Sequence, residues 1–144
     1  MTGGKIEDVI LFQIEKTSKI SKVYSQRDFD RLGLGITIEQ WILLKIIEEF
    51  DQMSQKELAE KSLRDPASIT RTLDLLSKKG LIERQAIENN RRQYNIKLSS
   101  AGKTFVKNNI GVVQKHRSKS VEGFTAEELK TLEGMLKRIQ NNMS

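Results

Sequence analysis

The stretch Asp65-Pro66-Ala67-Ser68-Ile69-Thr70-Arg71-Thr72-Leu73-Asp74-Leu75-Leu76-Ser77-Lys78-Lys79-Gly80 carries a start signal, a periodic interior and a stop signal together. Aspartate is a good N-cap, because its carboxylate accepts from N–H groups that the first turn leaves unpaired. Proline suits the first helical position, where its missing N–H is no loss. Ile69, Leu73 and Leu76 recur at i, i+4 and i+7, a single stripe on a helix. Lys78 and Lys79 fall in the last turn, where cations favour the helix dipole, and Gly80 stands where a left-handed cap belongs. Such a helix must lay its stripe on a core. Ala67, Ser68, Thr70, Arg71 and Asp74 lie off the stripe and face outward.

A second helix precedes it. Ser54-Gln55-Lys56-Glu57 predicts a capping box, the serine oxygen accepting from the Glu57 N–H and the glutamate returning to the Ser54 N–H. The helix runs to about Ser62 with Leu58 and Ala59 inward. Two short helices joined by a three- or four-residue turn can place the second in the major groove of a duplex, which admits an α-helix. After Gly80 the period changes. Residues 81–87 read as a strand, and Tyr94, Ile96 and Leu98 alternate with Asn95 and Lys97 as in a half-buried strand. Between them Glu88-Asn89-Asn90-Arg91-Arg92 is a polar hairpin tip. Paired arginines at a tip suit a narrow minor groove, where negative potential is greatest, although the same residues would also serve as a solvated turn.

The flanks read as helices. Residues 5–32 carry Ile6, Val9, Ile10, Ile14, Ile20, Val23 and Tyr24 at helical spacing, and Gly33-Leu34-Gly35 breaks the run. Thr37 caps a helix over 38–50 whose Ile38, Trp41, Ile42, Ile46, Ile47 and Phe50 form a wide face meant for burial. Ser99 or Ser100 opens a helix to about Glu122 with Phe105, Val106, Ile110 and Val113. Thr125-Ala126-Glu127-Glu128 opens a last one that buries Leu129, Leu132, Leu136 and Ile139. The expected fold is mostly α with a small β-hairpin wing, a winged helix-turn-helix over 37–100 flanked by dimerisation helices over 1–36 and 101–144. The flanking apolar faces have little domain to pack on. A second copy would cover them, and so would packing on each other.

Composition narrows the function. The net charge is +6, and its distribution is uneven: residues 54–107 hold twelve Lys/Arg and six Asp/Glu, whereas the remainder holds thirteen of each. A basic segment around a helix pair and a hairpin points to duplex DNA. Arg71 is the foremost base-reading candidate, because a guanidinium pairs bidentately with guanine. Ala67, Ser68 and Thr70 share its face. Ser54 and Gln55 sit at a helix start, where N–H groups suit phosphate, although simple capping explains them equally. Asn90, Arg91 and Arg92 are the wing candidates.

Other classes fit worse. The absence of cysteine excludes disulfides, thiolate metal sites and thiol redox sensing. His116 is the only histidine, and a lone histidine on a helix is more often a packing or surface residue than a catalyst. Gly33-Leu34-Gly35 is not a nucleotide fingerprint, since Ile38 stands where its last glycine belongs and no strand precedes it. Glu48/Glu49 and Glu127/Glu128 are adjacent pairs and point different ways on a helix. No catalytic residue, metal ligand or cofactor is expected. No apolar run is long enough to span a bilayer, and no apolar signal core opens the chain, so a cytoplasmic location is expected. A winged helix used only for protein contacts, without specific DNA readout, would need an apolar or acidic outer face on the Pro66 helix. RNA binding would favour exposed aromatics, and Tyr94 falls on the strand's apolar side.

The ordered set Gln55-Lys56-Glu57-Leu58-Ala59, Ser68-Ile69-Thr70-Arg71-Thr72-Leu73-Asp74, Lys79-Gly80-Leu81-Ile82-Glu83-Arg84 and Arg91-Arg92 before Ile96-Lys97-Leu98-Ser99-Ser100-Ala101-Gly102 resembles the MarR family of bacterial transcription regulators. Residues 68–98 look especially like the SlyA branch. The resemblance covers nearly the whole chain in element order and residues 38–102 in motif detail. It implies a homodimer joined by the terminal helices on a pseudo-palindromic operator, with Arg71 on the major-groove helix and Arg92 on the minor-groove wing. The family usually has an aspartate two residues before that wing arginine; Asn90 stands there in this chain. Many members bind small anionic aromatic effectors between the dimer helices and the DNA-binding lobe, and Tyr24 and Trp41 could line such a pocket or serve as core aromatics. Cysteine-based peroxide sensing, found in one branch, is impossible in this chain.

Overall fold

The computed structural model describes residues 4–87 and 90–144, with the side chains of 90–93 outside the described set. The chain divides into two compact units, Met1–Ile110 and Gly111–Ser144.

The first unit opens on a 3-10 turn, Ile6–Asp8, followed by α1, Ile10–Arg31. The single helix expected over 5–32 is therefore broken at Val9, which is extended at φ −82°, ψ 121°. Gln13 spans the break: its N–H donates to Val9 O, and its Nε2 donates to Glu7 O at 2.8 Å. α1 stops where Gly33 and Gly35 take φ of +66° and +73°, a region open to glycine without steric cost. α2, Ile38–Glu49, then begins with a full capping box between Thr37 and Gln40. Its Trp41, Leu43, Leu44 and Ile47 are buried. Ile42 and Phe50, expected inside, are exposed; Phe50 instead lies beneath the Lys61 ammonium, 4.2 Å from its ring centroid.

The short strand β1, Met53–Ser54, gave no periodic signal because two residues cannot show one. It leads into α3, Gln55–Ser62, and a three-residue turn into α4, Pro66–Lys78. Ser54 caps α3 as expected, its Oγ accepting from the Glu57 N–H at 3.1 Å. The return bond differs: the Glu57 carboxylate accepts from the Ser54 hydroxyl at 3.0 Å, and Ser54 itself is a strand residue paired with Asn95. Asp65 caps α4 by accepting from the Ser68 N–H at 2.9 Å, and Gly80 ends it at φ +73°.

β2, Ile82–Ile87, and β3, Asn90–Leu98, form an antiparallel hairpin, and β1 adds on the far edge, giving the order β1-β3-β2. Ile82 pairs with Leu98, Arg84 with Ile96 and Ala86 with Tyr94, and the register shifts after Ala86 so that Ile87 faces Asn90. Arg91 and Arg92 thus belong to the first residues of β3 rather than to a turn. Ile96 and Leu98 are buried as the alternation requires, but Tyr94, nearer the tip, is exposed.

α5, Ser100–Ser120, begins in this unit and runs into the second. Ser99 opens it: Ser99 Oγ accepts from the Gly102 N–H at 2.9 Å and donates to Gly80 O at 2.5 Å. Trp41 and Phe105 place their ring centroids 6.5 Å apart, a tilted aromatic pair. In the second unit His116 is buried, which fits a packing residue. α6, Ala126–Asn142, starts with the expected Thr125–Glu128 capping box. None of its residues is buried: of the stripe expected inside, Leu129, Leu136 and Ile139 are half-buried and Leu132 is exposed. On its polar side the Lys137 amine donates to Glu133 at 2.8 Å and holds that carboxyl below its ordinary range. Among the described residues no helix is long and apolar enough to cross a membrane.

Gly102 tests how tightly the wing seats on α5. A Cβ built there would stand 2.0 Å from Leu81 O, a backbone atom that cannot swing aside. Gly102→Ala is expected to lower folding stability by at least about 1–3 kcal/mol, read as the urea unfolding midpoint. An unchanged midpoint would show that this approach is not required.

Candidate nucleic-acid interface

The roll of α4 about its axis is set by its apolar stripe. Ile69, Leu73 and Leu76 are wholly buried, and Thr72 is buried beside them. α4 packs on α3, β2 and α2. Burying three such side chains stabilises the seating by roughly 1.5–3 kcal/mol each. With that face committed, Ala67, Thr70, Arg71 and Asp74 are exposed and Ser68 is half-buried. The outward face is short at its start and cationic at Arg71, as a groove-entering helix requires.

Neighbouring side chains hold this face in place. The Asp74 carboxylate accepts from Arg84 Nη2 at 2.7 Å, tying α4 to β2. Asp74 therefore pairs with the strand and not with Arg71, and among the described residues Arg71 has no ion-pair partner. The turn before α4 is shaped by Leu63, which adopts the left-handed conformation (φ 59°, ψ 34°) as the C-cap of α3. Next to it Arg64 donates through Nη2 to Ser68 Oγ. Thus Ser68, one of the predicted contact residues, is already oriented by a neighbour that sequence reasoning passed over. Gln55, at the first position of α3, donates from Nε2 to Thr70 Oγ1 at 2.8 Å. The structure brings Gln55, next to Ser54 at the start of α3, to Thr70 of α4. Asn90, Arg91 and Arg92 are placed on β3 by their backbone, and their side chains lie outside the described residues.

A cleft of about 870 Å³ opens between α1, α2 and the start of α4. Its lining includes Lys22, Glu39, Arg64, Ser68, Arg71 and Leu75. Arg64 Nη1 is buried and has no hydrogen-bond partner among the described residues. Tyr24 is half-buried on α1 and Trp41 is buried against Phe105, and neither lines this cleft. Arg64 and Lys22 carried no sequence signal. The first sits in a turn and the second on a helix otherwise read for its apolar spacing; only folding brings them to one cleft.

Several solved structures share this arrangement. A regulator described as MarR/EmrR family from Acinetobacter sp. ADP1 aligns over 96% of this chain and 97% of its own at a TM-score of 0.86 and 20% identity. The fold is that of the MarR family. Residues 36–94, which span α2 through the first part of β3, match the MarR family's sequence profile. A probable transcriptional regulator from Pseudomonas aeruginosa is 25% identical, with a TM-score of 0.80 and coverage of 94% of this chain and 99% of that one. A mutant MarR from E. coli, solved in complex with operator DNA, is 26% identical over 88% of this chain and 90% of its own, with a TM-score of 0.77. The MarR-matching segment contains α3, α4, β2 and the first part of β3, so the predicted contact residues all fall within it.

Proposed function

We propose that this chain is a sequence-specific DNA-binding transcription regulator of the MarR family, a repressor acting as a homodimer on a pseudo-palindromic operator. The observation that carries the reading is the seating of α4. Its apolar stripe is buried, its Ala67–Ser68–Thr70–Arg71 face looks outward, and Asp74 is engaged elsewhere. The same fold has been solved on operator DNA in MarR from E. coli. In this reading Arg71 reads a base edge in the major groove. Ser54 and Gln55 approach phosphate at the start of α3, and Asn90, Arg91 and Arg92 enter the minor groove from the wing. Residues 68–98, with Arg71 and the Arg91-Arg92 pair, support placement near the SlyA branch. A regulator of bacterial promoters works in the cytoplasm.

Unmet burial supports the dimer. In the first unit Ile10, Ile20 and Val23 of α1 are exposed, and in the second Leu132 and Met135 of α6 are exposed. A second copy covering residues 1–36 and 101–144 would remove these faces from water. The cleft supports an effector. Lys22, Arg64 and Arg71 outweigh Glu39 in its lining, and the unpartnered Arg64 Nη1 suits a carboxylate on a small aromatic molecule. Binding there would act on the helix that carries Ser68 and Arg71.

Selection of bound duplexes from a random pool is expected to return a preferred, two-fold related site, bound more weakly as salt rises because phosphate contacts release counterions. Arg71→Ala should cost about 1–3 kcal/mol on that site and relax the preference at one position of each half. Equal affinity for selected and random duplexes would favour a protein-contact module instead. Sedimentation equilibrium at micromolar concentration is expected to give twice the chain mass, and a monomer would sink the two-fold operator. Benzoate is expected to release heat on titration into the wild type and to weaken operator binding, and Arg64→Ala to lose both effects. No heat with the wild type would remove the effector.

A further inference from the structure

One side-chain hydrogen bond crosses the helix-turn-helix on its exposed side. Gln55 Nε2 on α3 donates to Thr70 Oγ1 on α4 at 2.8 Å. Thr70 Oγ1 in turn donates to Pro66 O, one turn back, at 3.0 Å. A hydroxyl has one hydrogen and two lone pairs. The hydrogen is committed to the Pro66 carbonyl, and one lone pair receives the amide. A β-branched side chain has few rotamers in a helix, and a bond to the i−4 carbonyl selects among them. The amide adds a second anchor from another helix. Thr70 is exposed yet fixed, with no hydrogen left to give to a base. One lone pair, which can only accept, and the methyl group remain for contact, and of these the methyl is the apolar one.

Resting on the reading of α4 as the helix that faces the duplex, we propose that Gln55 and Thr70 form one recognition unit. The Gln55 amide fixes the threonine, and the Thr70 methyl reads the C5-methyl group of a thymine in the major groove. An apolar contact of this kind distinguishes thymine from the other bases, since the methyl is presented only there. Gln55 is a positioning residue, and the group that touches the base belongs to Thr70. Gln55 earns this role from tertiary contact, because fifteen residues of chain separate the pair.

The test uses the full chain and a duplex selected from a random pool, with each thymine replaced in turn by deoxyuridine, which lacks only that methyl. The wild type is expected to bind about fourfold more weakly at one position, the effect of one buried methyl. Thr70→Ser keeps the hydroxyl and loses the methyl, so the thymine-over-uracil preference should vanish. Thr70→Val keeps a methyl and loses the hydroxyl, so the preference should persist. Gln55→Ala should narrow the preference beside Thr70 but leave it unchanged beside Thr70→Val, where the hydroxyl it acts through is gone. Retention by the serine variant with loss by the valine variant overturns the proposal, because the hydroxyl would then be the reader. An equal effect of Gln55→Ala in both backgrounds also overturns it. A flat uracil scan on a duplex that is still preferred over random ones defeats this inference alone, whereas no preference among duplexes defeats the reading of the interface with it.

Discussion

Everything at the candidate interface depends on the burial of Ile69, Leu73 and Leu76. A helix can rotate about its axis at little cost unless one face is committed to a core. These three side chains commit it. They pack within a core that also holds Leu43, Leu44 and Ile47 of α2, Leu58 of α3 and Ile96 of β3, all fully or almost fully buried. Because the helical period is fixed at 3.6 residues, the choice of buried positions also selects the outward ones. Thr70 and Arg71 face away from the core for the same reason that Ile69 and Leu73 face into it.

A second layer of polar contacts sets where the neighbouring elements lie around α4. Asp74 and Arg84 join it to β2. Ser99 links the Gly80 carbonyl at the end of α4 to the first turn of α5, and Lys79 reaches Gly35 O at 2.7 Å. Arg64 and Gln55 steady Ser68 and Thr70 from the turn and from α3. The one ion pair among them, Asp74–Arg84, lies at the surface and adds little stability by itself. Their effect is on geometry, since each ties one element near the candidate interface to another.

The cleft and α4 share residues. Ser68 and Arg71 line the one and lie on the exposed side of the other. Arg64, which donates to Ser68, lines the same cleft, so one side chain links the cleft to the outward face of α4. β3 begins at Asn90, which pairs with Ile87 across the register shift.

Helix starts were legible in the chain, at Thr37, Ser54, Asp65 and Thr125, because capping satisfies backbone groups within three residues of the cap. The stripe of α4 and the alternation at Ile96 and Leu98 were legible for the same local reason, a period that each element must show by itself. The break at Val9, the two-residue strand β1, the exposure of Ile42, Phe50, Tyr94 and Leu132, and the cleft formed with Lys22 and Arg64 were not. Each depends on which distant element comes to lie alongside, or on none doing so. The amino-acid order thus determined which elements form and which face of α4 turns outward. Tertiary packing decided that Asp74 meets Arg84 rather than Arg71, and that Gln55 meets Thr70. Pairing across ten and fifteen residues has no period to betray it and exists only once the core has closed.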